Sequence, residues 1–175
     1  FSGATLSYAD LASRIEMAAR ALKSGLGVGR GDRVAILAAN HPAYLVLLYA
    51  CARLGAMLVP LNWRLAPAEQ LFILRHASVK ALVLQEAFSA VLPGLTRELP
   101  ATRIVGLDHA PAGGLHLEQM LQDASGDGRD RRVDLSHPLL IVYTSGTTGR
   151  PKGAVLRQEA LVWNAVMSQH MHDMT

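Results

Sequence analysis

Short apolar runs alternate with longer segments of helical spacing along most of this chain, and this alternation restricts the folds that it can adopt. The runs at residues 33–39, 56–61 and 80–84 are typical of buried strands. The segments between them repeat apolar residues at helical spacing. Strands separated by helices indicate right-handed crossovers, so the sequence predicts an α/β fold with a mostly parallel sheet and helices on both faces.

Capping residues predict where the first two helices begin and end. Ser7 is followed three positions later by Asp10, which is typical of a capping box, and Gly25 is expected to end this first helix. Asn40 is expected to cap the second helix, and Gly55 is expected to end it. Shorter elements follow, predicted at residues 67–76 (helix), 86–98 (helix, interrupted at Pro93 and Gly94), 103–107 (strand), 117–122 (helix) and 139–142 (strand).

A polar segment at residues 123–130 is the best candidate for an internal boundary. It is rich in Asp, Gly and Ser, which is the composition of a flexible connector. We therefore expect an α/β subdomain at residues 1–122, a connector at 123–136, and the start of a second subdomain at 137–175.

Charge and cysteine content exclude several classes of protein. The net charge of +3 comes from dispersed basic residues, whereas a nucleic-acid surface would show a basic stripe with stacking aromatics. Cys51 is the one cysteine, so no disulfide framework and no cysteine metal site is expected. His170 and His172 lie two positions apart and do not share a helical face, which argues against a metal site there.

The densest group of phosphate-binding residue types lies at residues 143–153, which read YTSGTTGRPKG. This segment offers four small hydroxyl side chains, three glycines and one lysine. Glycines let backbone N–H groups approach an anion closely, and hydroxyls and an ammonium stabilise its charges. A plain turn requires far fewer donors. The sequence therefore predicts a polyphosphate-binding loop.

This loop differs from the Walker type. The Walker pattern needs Gly-Lys followed by Ser or Thr at the start of a helix. Here Gly149 is followed by Arg150, and Lys152 lies between a proline and a glycine. Because the short apolar stretch at residues 154–156 follows, we expect strand, loop and strand, with a helix beginning near Glu159.

Residues 143–156 resemble the phosphate-loop motif of the adenylate-forming (AMP-binding) superfamily, which includes acyl-CoA and aryl-CoA synthetases and the adenylation domains of peptide synthetases. Three further segments, at residues 6–11, 31–35 and 54–62, resemble family segments in the expected order. Residues 62–65 (NWRL) are similar to acyl-CoA synthetases rather than peptide synthetases, and residues 163–165 and 171–173 are similar to fatty acyl-CoA synthetases.

This resemblance implies the fold of the large N-terminal domain of such enzymes and a two-step reaction. A carboxylic acid, expected to be a fatty acid, and ATP give an acyl-adenylate and pyrophosphate, and the CoA thiol then displaces AMP. ATP, Mg²⁺ and CoA are the implied cofactors or substrates. The residues implied to bind the nucleotide phosphates are Thr144, Ser145, Gly146, Thr147, Thr148, Gly149 and Lys152.

The length of 175 residues suggests a piece of a longer polypeptide, since members of this superfamily are much longer. The family's adenine, ribose, acyl and metal sites and its catalytic lysine map after this segment, so no residue here is assigned as catalytic. The segment alone is expected to be inactive. An aryl-CoA ligase or a peptide-synthetase adenylation domain is the first alternative, and a non-enzymatic nucleotide-binding module is the second.

The sequence indicates no membrane span. The apolar stretch at residues 43–52 is interrupted by Arg53, well short of the about 20 apolar residues that a spanning helix needs. The expected location is the cytoplasm, with peripheral membrane contact if the substrate is a fatty acid.

Overall fold

The computed structural model describes residues 5–144 and 151–171. The strands of this part, numbered in chain order, are β1 (Arg33–Leu37), β2 (Met57–Pro60), β3 (Ala81–Leu84), β4 (Arg103–Gly106), β5 (Leu115–His116), β6 (Pro138–Thr144) and β7 (Lys152–Arg157). They form one seven-stranded sheet in the order β5-β4-β3-β1-β2-β6-β7. All neighbours are parallel except β6 and β7, which pair antiparallel. The predicted mostly parallel sheet is confirmed.

Helices lie between most of these strands. They are α1 (Tyr8–Leu26), α2 (Ala43–Leu54), α3 (Pro67–His76), α4 (Leu92–Glu98), α5 (Leu117–Gln122) and α6 (Gln158–Met171), with a 3₁₀ helix at Glu86–Val91. Among the described residues, no helix has both the length and the apolar character that crossing a bilayer requires.

The sheet separates two hydrophobic cores, and alternate residues of β1 contribute to each. Val34 and Ile36 are fully buried with residues of α1, α2 and α5. Ala35 and Leu37 are fully buried on the other side with residues of α3 and α4. Because successive side chains of a strand point to opposite faces, a strand covered on both faces must be apolar throughout. Helices on both faces are thereby confirmed.

The helix ends agree with most of the predicted caps. The backbone N–H of Asp10 donates to Ser7 Oγ at 3.1 Å, and the N–H of Ser7 donates to Asp10 Oδ2 at 3.1 Å, so the capping box is present. Gly55 ends α2 with φ 66°. The predicted end of α1 at Gly25 is wrong. The helix continues to the buried Leu26, and Gly27 takes the left-handed conformation at φ 63°.

Two further predictions of helix boundaries are corrected. Asn40 does not cap α2; the N–H of Ala43 donates instead to Nδ1 of His41 at 3.1 Å. The stretch at residues 86–98 is broken at Phe88, whose φ of −112° is not helical, rather than at Pro93. Pro93 lies in the first turn of α4, where a missing N–H breaks no helical hydrogen bond.

The connector at residues 123–136 contains no helix or strand and is held against the ends of α1 and α2. The Lys23 ammonium donates to the carbonyls of Asp127 at 2.9 Å and Arg129 at 3.1 Å. The N–H of Asp130 donates to the Arg53 carbonyl at 2.9 Å. After the connector, β6 pairs with β2 in the same sheet. The division of the chain into subdomains stays a prediction.

Replacing Gly55 by alanine is expected to lower the free energy of unfolding by roughly 1 to 3 kcal/mol. The φ of 66° strains any L residue, and a Cβ would lie 2.7 Å from Val133 Cγ2 and 3.0 Å from Arg30 Cγ. The matched control is Gly29→Ala, because a Cβ on Gly29 meets nothing within 4 Å. Equilibrium denaturation of the full-length protein measures both variants. Equal stability of the two variants would show that the turn after α2 tolerates a side chain.

Candidate functional site

β6 ends at Thr144, at the carboxyl edge of the sheet. β1, β2, β3 and β6 run parallel, so the segments that follow them emerge at the same edge. In open α/β sheets, ligands bind in the crevice outside the carboxyl ends of the strands. The segment that follows β6 is the one with the dense group of hydroxyls and glycines. The topology therefore places Thr144, the last residue of β6, where a ligand of such a sheet is expected.

β6 and β7 form the two stems of the loop, and Thr144 and Lys152 are their last paired residues. Both residues are exposed. Among the described residues, neither side chain has a hydrogen-bond or ion-pair partner. A hydroxyl and an ammonium that face each other across a ladder, with no partner in the described part of the chain, suit an anion with several oxygen atoms.

The other predicted binding residues lie outside the described part of the chain. They are Ser145, Gly146, Thr147, Thr148 and Gly149. Their roles, and those of Thr144 and Lys152, stay predictions. What the structure adds is the two predicted strands on either side of them. Both extend further than the expected runs at residues 139–142 and 154–156, since β6 ends at Thr144 and β7 begins at Lys152. The helix α6 begins at Gln158, next to the predicted start near Glu159.

The base of the hairpin is tied to α2. The N–H of Gln158 donates to the His137 carbonyl at 3.0 Å, and its side-chain amide donates to the Ala52 carbonyl at 3.1 Å. Just before β6, Asp134 accepts hydrogen bonds from the hydroxyl and N–H of Ser136 and contacts His137, and these interactions lower the pKa of its carboxyl to about 2. These contacts fix the entry of β6 into the sheet.

The loop end of β6 is tied to α3 through Tyr143. Its hydroxyl lies 2.7 Å from Nδ1 of His76, the last residue of α3. The two rings meet edge to face, with centroids 5.8 Å apart and an interplanar angle of 85°. Burial raises the pKa of the Tyr143 hydroxyl, so it remains protonated at neutral pH. Sequence reasoning missed this contact, because nothing in the local pattern links the two residues.

A second aromatic group follows β2 at the same edge of the sheet. The Arg64 guanidinium lies 4.8 Å from the centre of the Trp63 ring, and the Trp63 and Phe88 ring centroids are 5.9 Å apart. The Arg64 N–H donates to Asn62 Oδ1 at 3.0 Å. Since Trp63 remains partly exposed, one side of this group faces solvent beside the carboxyl edge.

The described residues contain no group of three or more His, Cys, Asp or Glu that could hold a metal ion. His170 lies near the end of α6, and His172 lies outside the described residues. Cys51 is completely buried in the core between the sheet and α1 and α2. A magnesium ion that accompanied a nucleotide here would be held mainly by phosphate oxygens, with hydroxyls such as that of Thr144 as the available protein donors.

Comparison with known proteins identifies the family. The model of the family described as "AMP-binding enzyme" matches residues 1–175. An indoleacetate–CoA ligase of Aromatoleum aromaticum is 45% identical over 172 residues, which are 97% of this chain and 33% of that protein. A feruloyl-CoA synthase of an Amycolatopsis species is 38% identical over 168 residues, 94% of this chain and 30% of that protein.

A solved structure of a related enzyme has a similar fold. A fatty acyl CoA synthetase of Mycobacterium tuberculosis superposes with a TM-score of 0.72 at 29% identity, over 88% of this chain and 29% of that one. The chain thus spans about a third of the length of the curated relatives that it matches. Because the family model matches all 175 residues of the chain, the chain belongs to the family of AMP-binding enzymes.

Proposed function

We propose that the full-length protein is an AMP-forming ligase that joins a carboxylic acid to CoA. The observation that carries this proposal is the pairing of β6 with β7, which brings Thr144 and Lys152 together as exposed donors on either side of a Gly- and Thr-rich segment. Relatives named as a CoA ligase and a CoA synthase match nearly the whole chain, which supports the proposal. A non-enzymatic nucleotide-binding module, considered from the sequence alone, has no such support.

In this proposal the loop binds the β- and γ-phosphates of ATP. Hydroxyls and backbone N–H groups of residues 144–149 surround the phosphate oxygens, and the Lys152 ammonium stabilises the charge that develops on the departing pyrophosphate. A carboxylate is a poor electrophile, and its attack on the α-phosphorus converts it into a mixed anhydride with AMP. The CoA thiol then attacks the acyl carbon and releases AMP. The protein's contribution in this segment is to hold and orient the leaving group.

The acid is proposed to carry an aromatic ring. Support comes from the two relatives described above, one named for indoleacetate and the other for a feruloyl group, at 45% and 38% identity. The sequence alone indicated a fatty acid, and the restriction to fatty acids is not supported by these relatives. A fatty acid is the second candidate, because the fatty acyl CoA synthetase structure matches at 29% identity.

We expect the full-length protein to catalyse ATP–pyrophosphate exchange with arylacetic or hydroxycinnamic acids, with kcat/KM about tenfold or more above that for medium- and long-chain fatty acids. A pocket shaped for a planar ring leaves a flexible chain imperfectly packed, which reduces transition-state binding. The measurement is exchange with a panel of aromatic, aliphatic and amino acids, followed by CoA-dependent release of AMP.

Each outcome of this panel decides between the alternatives. Faster exchange with fatty acids would support the second candidate. Exchange with amino acids and no transfer to CoA would point to a peptide-synthetase type of adenylation. Nucleotide binding without exchange for any acid would overturn the proposed ligase.

A further inference from the structure

Tyr143 is held between two elements that are far apart in the sequence. Its hydroxyl meets His76, which lies 67 positions earlier, at 2.7 Å. The imidazole of His76 is itself stacked on Phe72, one turn earlier in α3, with ring centroids 5.6 Å apart and an interplanar angle of 20°. Since Phe72 packs against the core on this side of the sheet, its ring supports the exposed imidazole of His76 beside the tyrosine hydroxyl.

Gly153 faces Tyr143 from the neighbouring strand. The two residues are paired in the β6–β7 ladder. A Cβ on Gly153 would lie 3.0 Å from Cζ of Tyr143 and 3.0 Å from Cγ2 of Ile141. The φ of Gly153 lies outside the left-handed region, so the backbone conformation does not require glycine here. A methyl group at this position would press on the Tyr143 ring and on Ile141, so a neighbouring side chain would have to shift slightly.

The next pair of the ladder is Thr144 with Lys152, which closes the candidate nucleotide loop. The placement of these two residues therefore depends directly on the Tyr143–Gly153 pair. On the side of β6 that faces β2, Leu140 pairs with Leu58, three positions before Tyr143. On the outer side, each of the six residues of β7 is exposed. The contact with His76 thus links the loop end of the hairpin to α3.

We propose that His76, Tyr143 and Gly153 form a clamp that positions the nucleotide loop. The inference rests on the proposed function, because it assigns these residues to the binding of ATP by that loop. Tyr143 and His76 act as positioning residues through Thr144 and Lys152. With the clamp intact, the hydroxyl of Thr144 and the ammonium of Lys152 are held in register for the phosphates; without it, the hairpin can twist and lose that arrangement.

The test compares Tyr143→Phe with Tyr44→Phe in the full-length protein. Each variant removes one hydroxyl: that of Tyr143 meets His76, and that of Tyr44 donates to the Ala38 carbonyl at 2.9 Å. Tyr44 packs against the core on the opposite face of the sheet, which makes it a matched control. We expect Tyr143→Phe to raise KM for ATP roughly fivefold to tenfold, with KM for the acid and for CoA changed by less than about twofold.

Two further variants separate positioning from stability. His76→Asn retains a hydrogen-bonding group near the position of Nδ1 and is expected to recover most of the ATP affinity that His76→Ala loses. Gly153→Ala is expected to raise KM for ATP at least as much as Tyr143→Phe, because the methyl group displaces the ring. Isothermal titration with ATP and pyrophosphate exchange measure these effects, and thermal unfolding reports stability separately.

The clamp is overturned if Tyr143→Phe and Tyr44→Phe lower the unfolding temperature alike and both leave KM for ATP unchanged. It is also overturned if the KM values for ATP, acid and CoA rise together, since that would indicate general loss of structure. The proposed function has a separate test, because it fails when the unsubstituted protein gives no acid-dependent exchange.

Discussion

Replacing Lys152 by alanine is expected to lower kcat/KM of the full-length protein for acyl-adenylate formation by roughly 100-fold. The ammonium is exposed beside the loop, and within the described residues it has no partner that would compete with a phosphate. Its proposed role is to stabilise charge that grows on the pyrophosphate as the bond to the α-phosphorus breaks. The loss should therefore fall on kcat more than on KM for ATP, since the interaction strengthens in the transition state.

The matched control for Lys152→Ala is Arg157→Ala on the same strand. Arg157 is also exposed and basic, and its ion pair with Glu159 at 3.4 Å is a surface contact of little energy. Single-turnover formation of the adenylate, followed by quenching, measures the chemical step for both variants. Lys152→Arg keeps the charge on a larger, planar group and is expected to be intermediate. Equal activity of Lys152→Ala and Arg157→Ala would contradict a role of Lys152 in adenylate formation.

The strands at the centre of the sheet could be predicted because a strand buried on both faces is an uninterrupted apolar run in the sequence. The four residues of β3 are all fully buried, and such runs are recognisable as strands without any tertiary information. The start of α3 at Pro67 was equally predictable. Its missing N–H is harmless in the first turn, and Glu69 accepts the N–H of Ala66 at 3.0 Å.

The errors concern positions where a tertiary contact outweighs a local preference. Gly25 and Gly27 are both acceptable ends for α1, and the burial of Leu26 decides in favour of the second. β5 consists of two residues, Leu115 and His116, which is too short for any periodic signal; its pairing with β4 defines it.

In the candidate site, too, features set by neighbouring residues could be predicted, and contacts between residues distant in the sequence could not. The donor types of the loop are contiguous in the sequence, so the two strands flanking them could be predicted from composition and apolar runs. The antiparallel pairing of Thr144 with Lys152 could not, because the strands were expected to end at residue 142 and to resume at residue 154. The contact of Tyr143 with His76 joins residues 67 positions apart, and a histidine at the end of a helix has no pattern that predicts its partner. The space available for a side chain at Gly153 likewise depends on the Tyr143 ring across the ladder, which no local pattern predicts.

Cys51 is expected to react with iodoacetamide about 1,000-fold or more slowly in the folded protein than in concentrated guanidinium chloride at the same pH. Burial raises the pKa of this thiol from 9.0 to about 12, which lowers the thiolate fraction at pH 8 by about 1,000-fold. The side chain is also completely inaccessible. Reaction should therefore require opening of the core between α1, α2 and the sheet. Mass spectrometry of the peptide that contains Cys51 measures the rate independently of any other cysteine.

An exposed reference cysteine on the same molecule provides the control. Ala68→Cys places a thiol on the exposed side of α3, where it should react at the rate of a free cysteine. Because the pKa of Cys51 is higher in the folded than in the unfolded chain, its contribution to stability is fully present below about pH 9 and is lost as the pH rises toward about 12. Native labelling of Cys51 should hence keep rising with pH between about 9 and 12, where the labelling of an exposed thiol has already levelled off. Labelling of both cysteines at similar rates near pH 8 would contradict the burial of Cys51 and the packing of α2 on the sheet.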